Sequence, residues 1–170
     1  MVASIRLRNG MQTLVDDKDL TWLTKWQWSA RKSYNVWYVI RYMPREYRSY
    51  AVVFMHREIL EANTGVLVDH KNGDGLDNRR ANLRLANTQE NCANQRKVVS
   101  YGGKKPSSIY KGVSWSKQHE RWGARIMVNR RQVFLGLYST EFSAAIAYNA
   151  AALEHFGEYA RLNLVEEVSA

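Results

Sequence analysis

The sequence of 170 residues has a single cysteine, Cys92, and no long apolar stretch. One cysteine excludes an intramolecular disulfide, and it also excludes a zinc site built from paired cysteines, so no zinc is expected. No apolar run approaches the length of a membrane span, and the N-terminus lacks the apolar core of a signal peptide. We therefore expect a cytoplasmic protein with no membrane partner, held together by its hydrophobic core.

Acidic residues are also scarce, with 16 Asp and Glu against 25 Lys and Arg, which gives a net charge of +9. The segment 96–131 contains ten Lys or Arg and one acid, Glu120, so it accounts for the whole net charge. A local basic excess is the electrostatic footprint of a protein that binds a polyanion. Apolar residues make up 45% of the chain, which is enough for hydrophobic cores and argues against disorder.

An acid and a histidine stand side by side in the segment 68–84. Asp69 and His70 end a short apolar run, a turn rich in Gly, Asp and Asn follows, a second apolar run covers 83–86, and Asn91 lies in a segment predicted to start a helix. Carboxylate and amide oxygens are hard ligands that suit Mg²⁺ or Mn²⁺. A neutral histidine can take a proton from water near neutral pH. The pattern predicts one divalent cation beside one general base, which is equipment for hydrolysing phosphodiester bonds.

This order and spacing, over roughly residues 51–96, resembles that of the HNH nucleases, which have a ββα-metal fold. The resemblance implies that Asp69 and Asn91 hold the metal and that His70 activates water. It also implies that Asn82 pins the loop through hydrogen bonds without touching the metal. Taken singly, Asp69 and His70 also suit an ordinary polar turn, and Asn91 also suits the first turn of a helix capped by Asn87.

Upstream of this segment, His56 and Arg57 lie in a short helical pattern, and related phage-type HNH proteins carry a His-Arg pair at this place. His56 can help hold the scissile phosphate as a fourth catalytic residue, or it can simply cap and pack the helix. Arg57 is a plausible phosphate clamp. We also expect DNA contacts from the arginines of the motif itself, which are Arg79, Arg80 and Arg84.

The first 50 residues read as strands around one short helix, with a hairpin turn at Asn9 and Gly10. We expect them to extend the nuclease domain, which would cover residues 1–96. A basic stretch without apolar period, 97–108, predicts a flexible linker in which Lys104 and Lys105 track the DNA backbone, although a merely solvated linker suits it too.

Residues 109–164 form a second pattern, with three short strands followed by a long helix from Thr140 to Phe156 that ends at Gly157. Residues 165–170 are a tail. The module resembles the AP2 DNA-binding domain in Tyr110-Lys-Gly-Val113, Phe134-Leu-Gly-Leu-Tyr138, and the alanine-rich helix. The resemblance implies a sheet face that enters the major groove of DNA and turn arginines near the backbone. The residues expected to contact DNA are Lys111, Trp115, Arg121, Trp122, Arg125, Arg130 and Arg131. In the alternative, the tryptophans pack under the helix and the arginines only solubilise the module.

Together these patterns predict an α+β protein. An HNH nuclease domain with a β-rich N-terminal extension is joined to an AP2-like three-stranded antiparallel sheet packed on one helix. The expected function is Mg²⁺- or Mn²⁺-dependent cleavage of double-stranded DNA in a bacterial or phage-infected cell by a homing-type enzyme, which is a monomer or a dimer. A monomer should nick, whereas double-strand cleavage would need two sites. No small-molecule substrate is expected. The alternatives are a non-catalytic DNA-binding regulator and, less well supported, an RNA-binding accessory protein.

Overall fold

The computed structural model describes residues 1–44, 50–97, 103 and 105–165. Within them the chain divides into two compact units, Met1–Thr88 and Gln89–Ala170. The first unit combines short helices with small antiparallel sheets. The second combines a short helix and a longer helix with an antiparallel sheet. In the described part of the chain no helix is long and apolar enough to cross a membrane.

The first unit begins with a hairpin, β1 (Val2–Arg6) and β2 (Gln12–Asp16), whose turn contains Gly10 at a positive φ of 84°. The rest of the unit is a short helix, a three-stranded antiparallel sheet in the order β3-β4-β5, a second short helix and a two-stranded hairpin. Their bounds are α1 (Asp17–Leu23), β3 (Ser29–Ser33), β4 (Val36–Pro44), β5 (Tyr50–Phe54), α2 (Met55–Ile59), β6 (Leu67–His70) and β7 (Leu83–Ala86). The turn expected between β4 and β5, at residues 44–46, lies largely outside the described residues.

The core of the first unit draws on both of its helices and on strands of each sheet, which holds these elements together. Trp28 is its largest fully buried side chain, and its indole Nε1 donates to the carbonyl oxygen of Leu23 at 2.8 Å. The other buried members are Leu7, Val15, Leu23, Val39, Met55, Ile59 and Leu83. Leu83, the first residue of β7, therefore ties the predicted site hairpin into this core.

The second unit contains most of the helix α3 (Thr88–Asn94), whose first residue is the last of the first unit. A three-stranded antiparallel sheet in the order β10-β9-β8 and the helix α4 follow it. Their bounds are β8 (Val113–Ser116), β9 (Arg121–Val128), β10 (Arg131–Tyr138) and α4 (Glu141–Phe156). Thr140 caps α4, since its side chain accepts a hydrogen bond from the Ser143 backbone N–H, and Gly157 ends it with a positive φ of 50°.

Alanines let α4 lie close on the sheet. Ala144, Ala145, Ala151 and Ala152 are buried against sheet residues that include Ala124 and Ile126. Gly112, before β8, is required here because a Cβ at this position would lie 2.0 Å from Cδ2 of Tyr148, and its φ is 75°.

The structure draws its division at residues 88 and 89, whereas the sequence placed the boundary in the linker 97–108. Of that linker, Lys97, Ser107 and Ser108 make hydrogen bonds within the second unit. Residues 98–102 and Lys104, which the sequence also placed in the linker, lie outside the described residues.

Candidate functional site

Asp69 and His70 are the last two residues of β6, and the antiparallel register pairs them with Arg84 and Leu83 of β7. Both side chains are buried, with 6% and 5% of their surface exposed. Buried polar groups need partners, because water no longer solvates them. The partners that the fold supplies decide what each group can do.

Arg84 lies directly opposite Asp69 and forms an ion pair with it. Arg84 Nη2 is 2.8 Å and Nε is 2.9 Å from Asp69 Oδ2, and the guanidinium group is almost as buried as the carboxylate. This cross-strand pair keeps a negative charge in a buried position and fixes the direction of the carboxylate. The structure thus gives Arg84, predicted to contact DNA, an internal partner.

A chain of hydrogen bonds sets the tautomer of His70. The amide nitrogen of Asn78 donates to Thr13 Oγ1 at 2.9 Å and to the Gly75 carbonyl oxygen at 3.3 Å. The carbonyl can only accept, so the other amide atom of Asn78, its oxygen, faces His70 Nε2 at 3.3 Å. Nε2 must therefore carry the proton, and Nδ1 is the basic nitrogen of the ring.

Burial lowers the pKa of His70 below its ordinary value, against the opposing effects of the Asn78 hydrogen bond and of the charge on Asp69. A lowered pKa keeps the imidazole neutral at physiological pH. A neutral ring with a defined basic nitrogen is the form that a general base requires.

The rings of His56 and Tyr38 lie next to the imidazole ring of His70. The ring centroid of His56 is 5.0 Å from that of His70 in an edge-on arrangement, and Tyr38 lies 5.8 Å from His56 and 6.0 Å from His70. Burial, with the neighbouring His70 and Arg57, lowers the pKa of His56 to about 3, so this ring is neutral too. Its Nδ1 is buried and has no hydrogen-bond partner among the described residues. His56 is therefore packed beside His70, as the structural interpretation expects, and its Nδ1 is a buried polar atom next to the proposed base.

Asn82 pins the loop between β6 and β7 from a buried position. Its side-chain nitrogen donates to the Asp77 carbonyl oxygen at 2.7 Å and to Asn72 Oδ1 at 3.0 Å, while its Oδ1 accepts from the Asn72 backbone N–H at 3.1 Å. The loop also approaches β4 closely, since a Cβ on Gly75 would lie 2.2 Å from the Trp37 carbonyl oxygen. Only glycine fits there.

The remaining arginines predicted to contact DNA in the first unit bind the protein itself. Arg79 makes a bidentate pair with Asp77, at 2.7 and 2.6 Å, and Arg80 makes one with Asp19, at 2.8 Å for both bonds. Arg57 donates to the carbonyl oxygens of three residues, Val66, Ala62 and Asn63. These bonds stabilise turns, and DNA contact by these arginines stays a prediction.

Asn91, the second predicted metal ligand, lies in α3 and belongs to the second unit. No three His, Cys, Asp or Glu side chains in the described residues group to hold a metal ion. One carboxylate and one amide oxygen fit a hard cation such as Mg²⁺, which keeps several waters and uses few protein ligands.

The sheet of the second unit has one face on α4 and one face outward. In β9, Ala124 and Ile126 pack toward the helix, so Arg121, Arg125 and Met127 point to the opposite side. Arg125 pairs with Phe134 of β10, and its guanidinium carbon lies 5.7 Å from the centroid of that ring. Arg130 and Arg131 are exposed at the β9–β10 turn, where Asn129 and Arg130 both have positive φ.

Two tryptophans expected on the same face as these arginines lie on the other side of the sheet. Trp122 alternates with Arg121 and packs against the α4-side core, and Trp115 pairs directly with Trp122 at a ring-centroid distance of 5.1 Å. Side chains that are directly opposite share a face of a sheet. Placing Trp115 and Trp122 with Arg125 was therefore wrong, because the residues of a strand alternate between its two faces.

Lys111 does not lie on the outward face either. Its Nζ donates to carbonyl oxygens at the end of α3, and burial lowers its pKa to about 8. Lys105 is exposed.

Among the residues that sequence reasoning missed, Asn78 stands in the polar turn, where a role in turn formation was the natural interpretation. Tyr38 is one aromatic among many in a strand, and no local signal distinguishes it.

Comparisons with known proteins agree with two different parts of this description. Residues 53–93 match the family model described as HNH endonuclease, a span that holds Asp69, His70, Asn82 and Asn91. The match covers less than half of the chain. No solved structure matches the chain.

Curated relatives of another kind match part of the chain. It is 39% identical over 77 residues to the AP2-like ethylene-responsive transcription factor ANT of Arabidopsis thaliana, which covers 44% of this chain and 14% of that protein. It is 41% identical over 71 residues to the AP2-like factor PLT2 of the same plant, with 41% and 12% covered. Ethylene-responsive transcription factor ERF024 is 40% identical over 70 residues, with 40% and 37% covered. The chain is thus similar to HNH endonucleases over residues 53–93 and, over 70 to 77 residues, to a minor part of plant AP2-like transcription factors.

Proposed function

We propose that this chain is a metal-dependent DNA endonuclease of the HNH homing type, similar to phage enzymes, in which an AP2-like module selects the site of cleavage. The observation that carries the proposal is the buried pair of Asp69 and His70, with His70 held neutral and in one tautomer by Asn78. A purely structural polar turn does not require a histidine with a fixed basic nitrogen.

The residues divide the reaction between them. His70 takes a proton from the attacking water at Nδ1, and Asn78 keeps the ring oriented for that transfer. Asp69 and Asn91 would hold one Mg²⁺ or Mn²⁺, and Arg84 directs the Asp69 carboxylate. When bound, the cation supplies stabilisation of the charge that develops on the phosphate and on the leaving 3′ oxygen. Asn82 holds the loop and takes no part in the chemistry.

The second unit supplies the DNA-contacting surface in this proposal. Its outward sheet face carries Arg121 and Arg125, and the adjacent turn carries Arg130 and Arg131. A three-stranded sheet is narrow enough to enter the major groove, where base edges can be distinguished. A single nuclease site attacks one strand at a time, so we propose nicking by a monomer.

Supercoiled plasmid incubated with the purified chain tests the nuclease. We expect conversion to open circles with Mg²⁺ or Mn²⁺ and none with EDTA. The His70→Ala variant, purified in the same way, is the control for a contaminating nuclease and should leave the plasmid supercoiled. Plasmid that stays supercoiled with the wild-type protein and either metal contradicts the proposal.

A non-catalytic DNA-binding regulator is the second candidate. The names of the plant relatives, which are transcription factors, favour it. So does the engagement of Asp69 by Arg84, since an ion pair competes with a cation for the carboxylate. This function predicts site-specific DNA binding that is unaffected by Mg²⁺ or EDTA, with no nicking in either condition.

A further inference from the structure

The helix α3 is built into the core of the second unit. Ala93 is buried there with 5% of its surface exposed, in one cluster with Ile126, Tyr148 and Phe156. Near the start of α3, Gln89 Oε1 accepts a hydrogen bond from the Asn129 backbone N–H at 3.0 Å. The helix is therefore held to the second unit near both of its ends.

Lys111 closes the C-terminal end of α3. Its Nζ donates to the carbonyl oxygens of Cys92 at 3.2 Å, Ala93 at 2.5 Å and Gln95 at 2.8 Å. The last carbonyl groups of a helix lack partners inside the helix, and the helix dipole makes this end attractive to a cation. One ammonium group with three donors binds all three carbonyl oxygens, two of which also accept from the backbone N–H groups of Gln95 and Arg161.

The main chain of Lys111 is itself fixed, so that the side chain starts from a defined place. Its backbone N–H donates to Asn163 Oδ1 at 2.6 Å, and its carbonyl oxygen accepts from Asn163 Nδ2 at 3.1 Å. Lys97, just after α3, reaches in the opposite direction, and its Nζ donates to the carbonyl oxygens of Tyr110 at 2.5 Å and Val113 at 2.9 Å. Two lysines thus join the end of α3 to the start of β8.

We propose that Lys111 is a positioning residue for the nuclease reaction. It holds the C-terminal end of α3, the helix that carries Asn91. Asn91 immediately precedes Cys92, whose carbonyl oxygen Lys111 binds. The inference rests on the proposed function and goes beyond it, because it assigns Lys111 a role in holding the helix of the proposed metal ligand Asn91.

The test compares the wild-type full chain with Lys111→Met, which keeps the length of the side chain and removes its donors. Lys117→Met is the matched control, since Lys117 is an exposed lysine of the same unit. Amide hydrogen exchange is measured across α3, Mn²⁺ affinity is measured by calorimetry without DNA, and nicking is measured under single-turnover conditions. A fluorescent duplex measures DNA affinity in EDTA.

In Lys111→Met, we expect exchange of the α3 amides to rise by about tenfold or more, because hydrogen bonds to a charged donor are lost. Mn²⁺ affinity and the nicking rate should fall by several-fold, whereas DNA affinity should change no more than in Lys117→Met. Lys111→Arg, which keeps a cation with several donors, should restore much of the protection and of the Mn²⁺ affinity.

Protection of the β9 amides in the same exchange data reports whether the module remains folded. If it is lost in Lys111→Met, the variant Lys97→Met carries the test, since it removes only the second lysine contact. Unchanged α3 exchange and Mn²⁺ affinity in the folded variant overturn the positioning role alone. A wild-type chain that neither binds Mn²⁺ nor nicks plasmid overturns the proposed nuclease, and the positioning role with it.

Discussion

The arginines predicted to contact DNA are used differently in the two units. In the first unit, Arg79, Arg80 and Arg84 each form a close ion pair with a buried carboxylate. In the second, Arg121, Arg125, Arg130 and Arg131 are exposed, and none of them forms an ion pair within the described residues. Charges that are paired internally fix a site, whereas exposed charges remain available to a polyanion. This contrast is the one that the proposed division into a nuclease unit and a DNA-contacting unit requires.

The largest effect should come from the base. His70→Ala should lower the nicking rate by about 10²–10⁴-fold, the range of general-base contributions, because the proton transfer is needed only in the transition state. DNA affinity measured on a fluorescent duplex in EDTA should stay within about twofold, since the substitution removes no binding contact. A variant that nicks plasmid at near wild-type rate would remove His70 from the base role.

Replacing one exposed arginine and one ion-paired arginine tests whether DNA contact belongs to the second unit. Arg125→Ala should lower discrimination between the natural site and other sequences by about 1–3 kcal/mol, the worth of a good base contact. Arg79→Ala should leave DNA binding and discrimination near the wild-type values and lower the thermal unfolding midpoint, because it leaves the buried Asp77 carboxylate without its partner. Competition binding and thermal unfolding measure the two effects.

The opposite pattern would break that comparison. If Arg79→Ala loses DNA affinity in proportion to counterion release and Arg125→Ala does not, the first unit carries the DNA-contacting surface. Lys105→Ala is the control for a general charge effect, and it should weaken binding about equally on all sequences.

Asn78→Ala tests the tautomer of His70. We expect single-turnover nicking to slow by about tenfold, because one hydrogen bond that orients the ring is lost. The pKa of His70 should fall further, since the Asn78 hydrogen bond raises it, so the acid limb of the pH–rate profile should move to lower pH. A profile with an unmoved acid limb contradicts the assignment of Nδ1 as the base. Thermal unfolding of the variant controls for loss of the buried Asn78 contacts.

The last prediction concerns stability at acid pH and does not involve DNA or cleavage. The pKa of His56 is lowered from 6.5 to about 3 in the folded protein, so the unfolded chain binds the proton more readily. Stability from this group is present above about pH 6.5 and falls as the pH decreases toward 3, by at most roughly 5 kcal/mol. His56→Phe should flatten this dependence in chemical denaturation between pH 7 and pH 4. An unchanged slope would show that other groups control acid unfolding.

Much of the local structure of the candidate site could be predicted from the sequence. Asp69 and His70 fall at the end of a strand because apolar residues precede them and turn-forming residues follow. The helix α4 begins and ends at Thr140 and Gly157 as the capping signals indicate. The sequence did not predict the internal partners of Arg79, Arg80 and Arg84 or the sheet face of Trp115 and Trp122. Partners and sheet faces depend on pairing between distant segments.

The sequence by itself determined the chemistry that is present: an acid beside a histidine, an asparagine-rich turn, a basic second half and the turns that separate the strands. These are local properties, set by residue type and spacing over a few positions. The tertiary structure alone decided which groups meet. Asn78 reaches Thr13 across 65 positions, Arg80 reaches Asp19 across 61, and Lys111 reaches Ala93 across 18. Such contacts follow from packing of whole elements around a core, and no short stretch of sequence encodes them.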